Sequence, residues 1–114
     1  KLLAPLVAKR DGNHGRSSLG IVAGATWPEE ARALRAILPS APFLIPGFGA
    51  QGAGPEQATS GLIRGKYGWE GGLVNSTRGL IFPKTAACAN SLAAWQNAIV
   101  ATIDQNKAIL NSAF

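Results

Sequence analysis

Two short stretches place anion-binding groups at the ends of apolar runs. The first, Pro46-Gly47-Phe48-Gly49-Ala50-Gln51-Gly52, directly follows Phe43-Leu44-Ile45. Glycine backbone lacks a Cβ, so it can approach a ligand closely and aim several N–H groups at it. In a strand-to-helix turn that arrangement suits an anion, most often phosphate. The second stretch, Asn75-Ser76-Thr77-Arg78, follows Leu73-Val74 and supplies the cation that the glycine turn lacks. A guanidinium can grip phosphate through two parallel charge-assisted hydrogen bonds. A third run, Leu19–Ala25, ends in Gly24-Ala25-Thr26.

Other chemistries lack their residues. With one histidine and one cysteine, no Ser-His-Asp arrangement or metal-ligand cluster is credible. The glycine turn is neither GxGxxG nor a P-loop, because no Gly-Lys-Ser/Thr follows it. No catalytic residue and no metal ligand is therefore assigned, and the sequence offers binding groups without a reaction centre. Glu29 and Glu30 read as partners of a helix dipole.

The elements that position these groups come next. At 114 residues the chain is at most one domain, and 46% hydrophobic with 15% charged residues suits a globular core. Residues 2–9 suggest a helix and residues 11–18 a loop. Leu19–Ala25 reads as a strand buried on both faces, as in parallel sheets. Thr26-Trp27-Pro28-Glu29 has capping-box spacing with Thr26 as N-cap, opening a helix with Ala31, Leu34, Ile37 and Leu38 inward. A strand over Pro42–Ile45 follows, then a short helix over Pro55–Leu62 and a loop over Arg64–Gly72. A third strand at Leu73-Val74 leads to a long helix over Thr85–Leu110, with Ala89, Leu92, Trp95, Ile99, Ile103 and Leu110 on one stripe. Cys88 falls in its apolar start, where a buried, inert thiol is expected.

The order α-β-α-β-α-β-α implies parallel βα units. Three strands leave two open edges. The fold class expected is α/β, as the C-terminal part, about strands 6–8, of a (β/α)₈ TIM barrel. In such barrels ligands sit at the strands' C-terminal ends, with phosphate often after strands 7 and 8.

The net charge of +5 comes from scattered lysines and arginines, with only Lys9-Arg10 adjacent. That argues against a nucleic-acid partner, which calls for a basic stripe with interleaved aromatics. No apolar run approaches a membrane span, and the start lacks a signal-peptide pattern. A single cysteine fits a reducing cytoplasm.

Three segments in order resemble orotidine 5′-phosphate decarboxylases. They are Leu19–Glu30 with Gly24-Ala25-Thr26-Trp27-Pro28-Glu29-Glu30, Phe43–Gly52 with Pro46-Gly47-Phe48-Gly49-Ala50-Gln51-Gly52, and Gly72–Gly79 with Asn75-Ser76-Thr77-Arg78-Gly79. The resemblance spans about residues 19–82 and implies a TIM-barrel enzyme, usually a homodimer. That family converts orotidine 5′-monophosphate to UMP and CO₂ without metal or organic cofactor. Its Lys-Asp-Lys-Asp array comes from early strands, so this chain alone is expected to be inactive. By resemblance, Gln51 contacts the phosphate and approaches the pyrimidine. Arg78 grips the phosphate with backbone N–H groups around Gly52 and Thr77. Thr26 faces the pyrimidine edge, and Pro46 packs beside it. The family usually continues the glutamine loop as Gly-Gly-Asp; here it reads Gly52-Ala53-Gly54, and the extra methyl narrows the backbone's freedom. Two other readings stay open: another phosphate-binding barrel enzyme, such as an isomerase or aldolase, and a non-catalytic fragment or binding module.

Overall fold

A computed structural model describes residues 2–49 and 51–114. The elements run α1 (Ala4–Ala8), β1 (Ile21–Val22), α2 (Pro28–Ile37), β2 (Phe43–Pro46), α3 (Pro55–Thr59), β3 (Ile63–Gly65), β4 (Gly68–Glu70), β5 (Gly72–Asn75), α4 (Thr77–Ile81) and α5 (Leu92–Ser112). A single 3-10 turn, Lys84–Ala86, lies between α4 and α5.

The three strands expected from the apolar runs form one parallel sheet in the order β1-β2-β5. The pairing of β1 continues past its two named residues, since Ala23 N donates to Leu44 O at 2.9 Å and Ala25 N to Pro46 O at 2.8 Å. Helices on one side and parallel strands joined by crossovers make this a portion of an α/β barrel.

The sheet is buried on one face rather than two. Side chains alternate across a strand. Phe43 and Ile45 join Ala23, Ala25, Leu38, Ala41 and Ala58 in the core, with Leu34 of α2 packed against them. The opposite row, Val22, Leu44 and Leu73, is aligned by register and is 66%, 42% and 74% exposed. The apolar content of these strands is that of a sheet covered on both sides, and among the described residues only one cover is present.

Arg35 fastens α2 to the layer beneath it. Its guanidinium donates to the carbonyls of Gly61 (2.9 Å), Leu38 (3.1 Å), Ala41 (2.7 Å) and Gly71 (2.8 Å), and lies 3.8 Å over the Phe43 ring. Burial, and second the charge of Arg16, lower its pKa. The carbonyl fork offsets that desolvation without a carboxylate partner.

Five local expectations are corrected. Thr26 does not cap α2: Trp27 holds the N-cap position with no side-chain cap bond, because the turn ending in Trp27 N to Gly24 O delays the helix to Pro28. Arg64–Gly72 is not a loop throughout but contains the antiparallel hairpin β3–β4, with Arg64 opposite Trp69. Trp69 Nε1 donates to Leu110 O at 3.0 Å, and its ring meets Phe114 edge-on at 5.3 Å, so the hairpin is held by the end of α5. The long helix starts later than Thr85: Ser91 accepts from Ala94 N at 3.2 Å and caps α5. Cys88 therefore lies before the helix and is exposed, not buried. Nor does the expected stripe form a buried seam, for Leu92 is 69% exposed and α5 has no fully buried residue.

Candidate phosphate site

The site is built where β2 and β5 end side by side. Pro46 pairs with Asn75, which brings the glycine turn after one strand against the polar turn after the other. Gly47 leaves β2 with φ 107°, Gly49 has φ 76° and Gly52 has φ 91°. Such values are strained for any residue with a Cβ. The loop then closes on itself: Gly52 N donates to Gly49 O at 2.8 Å, and Gly49 N to Ala53 O at 3.1 Å.

Phe48 and Ala53 are both buried and pin the loop to the core. The methyl of Ala53 is thus accommodated with no positive φ, so alanine at this position carries no backbone strain. At the exit, the Gln57 side chain accepts from Gly54 N at 2.8 Å, and Pro55 fills the first turn of α3. One orphan amide of the helix is satisfied, and the proline has none to satisfy.

The two turns enclose a cleft of about 100 Å³ lined by Pro46, Gly47, Phe48, Gln51, Asn75, Ser76, Thr77 and Arg78. Arg78 is the one cation among these lining residues, and no carboxylate is among them. The described residues contain ion pairs Arg16–Glu70 and Arg32–Glu29, neither involving Arg78. Thr77 Oγ1 donates to Asn75 Oδ1 at 3.0 Å and stiffens the turn carrying the arginine. A glycine backbone, an amide and a guanidinium with no carboxylate beside it are the groups from which an anion receptor is built.

Of the residues singled out from sequence, Pro46, Gln51, Thr77 and Arg78 line this cleft together. Gly52 stands outside the lining, exposed, where its φ lets the loop turn. Thr26 is also outside the lining and is exposed, one residue beyond the point where Ala25 pairs with Pro46. Phe48, Asn75 and Ser76 line the cleft without having been singled out individually. Their signal was position: Phe48 lies in the glycine turn after β2, Asn75 ends β5, and Ser76 directly precedes Thr77. Among the described residues no cluster of His, Cys, Asp or Glu could hold a metal ion, and no helix is long and apolar enough to cross a membrane.

No family model matches the chain. Curated proteins named orotidine 5′-phosphate decarboxylase do match it. The one from Haloarcula marismortui is 45% identical over 83 residues, covering 72% of this chain and 28% of its own length. The one from Clostridium kluyveri is 40% identical over 116 residues, covering 94% of this chain and 38% of its own. Among solved structures, an orotidine-monophosphate decarboxylase from Toxoplasma gondii superimposes with TM-score 0.56 at 31% identity, over 96% of this chain and 39% of that one. A Leishmania donovani UMP synthase gives TM-score 0.53 at 28% identity, over 92% and 22%. The chain thus spans well under half the length of these relatives. Over that part, it shares both sequence and fold with the orotidine 5′-phosphate decarboxylases.

Proposed function

We propose that the cleft between Gln51 and Arg78 holds the 5′-phosphate of a pyrimidine nucleotide. The chain, residues 1–114, would then be the phosphate-gripping part of an orotidine 5′-phosphate decarboxylase, within a partial barrel domain. The reaction releases CO₂ from orotidine 5′-monophosphate and leaves UMP. The observation that carries this reading is the convergence of the glycine turn and Arg78 on one cleft whose lining has a cation and no carboxylate. The named relatives support the choice of nucleotide.

The chemistry divides accordingly. Binding energy from a remote, non-reacting group can support the transition state at the bond that breaks. Arg78 and the loop N–H groups hold the phosphate, and Gln51 bridges from phosphate toward the base. Pro46 ends β2, Thr26 lies in the turn between β1 and α2, and in this reading both are on the side of the base. No lysine lines the cleft, so the groups that act at the carboxylate come from outside it. The intact enzyme is a homodimer in this reading.

Titration of the ¹⁵N-labelled chain with UMP tests the site. Amide shifts should concentrate in residues 47–52 and 75–79. Shifts scattered over the surface, or none, would sink the assignment.

A further inference from the structure

Ser76 stands between the two halves of the cleft. A methyl group placed on Gly79 would lie 2.9 Å from its Oγ, and one on Gly49 would lie 3.7 Å from it. The hydroxyl therefore lies beside the open faces of two glycines, one in the loop after β2 and one in the helix that carries Arg78. It occupies the N-cap position of α4 yet makes no capping bond. The neighbouring Thr77 hydroxyl is committed to Asn75. Among the described residues the Ser76 hydroxyl has no such partner, and it faces the cleft with Gln51 and Arg78.

Gly79 supplies the second observation. It lies inside α4, and it is absent from the glycines with positive φ. Its backbone would accept alanine, which favours a helix. What an alanine there would meet is the Ser76 hydroxyl, tighter than any ordinary Cβ contact. The missing side chain at 79 thus makes room for the hydroxyl at 76.

We propose that Ser76 is a positioning residue of the phosphate grip. Its hydroxyl donates to a phosphate oxygen, and its seat against Gly79 sets the spacing between the glycine loop and Arg78. This rests on the phosphate reading above and adds a residue and a spacing rule to it.

Calorimetric titration of the full chain with UMP and with uridine tests it, using wild type, Ser76→Ala, Gly79→Ala and the double variant, each also unfolded in urea. Ser76→Ala should weaken UMP about tenfold, the loss expected for one hydrogen bond to a charged group, and leave uridine unchanged. Gly79→Ala should keep or raise stability while weakening UMP. The double variant should bind no worse than Ser76→Ala, because both changes remove the same contact. If wild type prefers UMP and both single variants bind it equally well, the role of Ser76 is wrong and the phosphate site stands. If wild type does not prefer UMP over uridine, the phosphate site fails and this inference fails with it.

Discussion

Gly47 and Gln51 face each other within one loop: a methyl group on Gly47 would lie 3.3 Å from Oε1 of Gln51 and 3.7 Å from Cβ of Ala25. The first residue of the turn is thereby wedged between the end of β1 and the amide proposed to meet the ligand. With φ at 107°, only glycine sits there without strain.

Gly47→Ala should therefore cost about 1–3 kcal/mol of stability, the range for a residue forced into a sparsely populated backbone region. It should also displace Gln51 and weaken UMP. Urea unfolding and UMP titration of the same variant check both halves. An alanine variant with unchanged midpoint and affinity would show that the loop tolerates a side chain at this point.

Arg35 is the counterpart in the scaffold. Lysine keeps the charge but cannot span the carbonyls of Leu38 at the end of α2, of Gly61 and of Gly71 at once. Arg35→Lys should lose about 1 kcal/mol or more, the scale for hydrogen bonds to half-buried carbonyls left unmade. A urea midpoint equal to wild type would contradict this.

Trp69→Phe keeps the ring packed against Phe114 but removes the donor to Leu110 O. About 1 kcal/mol should be lost. Amide hydrogen exchange should accelerate in the last turns of α5 and little elsewhere. Uniform acceleration would mean that the hairpin is not a local latch.

Cys88, exposed ahead of α5, should react with a thiol reagent in the native chain at the rate of a free thiol. Protection that lifts only in denaturant would restore the buried setting that its apolar neighbours suggest.

These outcomes bear on what a linear reading could reach. The sheet was legible because Phe43-Leu44-Ile45 and Leu73-Val74 are short apolar runs stopped by glycine or polar turns, and βα alternation fixes their parallel sense. That Gln51, Thr77 and Arg78 line one cleft was legible in outline, since each lies in a segment that follows β2 or β5. The placement of the Ser76 hydroxyl beside the open face of Gly79 was not, because it depends on how one turn is wound. The hairpin escaped because its strands are three residues long and rich in glycine. It is anchored where Arg64 and Trp69 meet Phe114, which is distant from them in sequence. The register of α5 was misjudged at its start, where Ser91 ends an apolar stretch by capping the helix.

In the proposed site Arg78 and the glycine turn recognise phosphate. Calorimetric comparison of UMP with uridine, on wild type and Arg78→Ala, tests it most directly. Wild type should prefer UMP, and Arg78→Ala should lose tenfold or more in UMP affinity, the scale of a charge-assisted contact, with uridine unaffected. Equal affinities of wild type and Arg78→Ala for UMP would contradict the account.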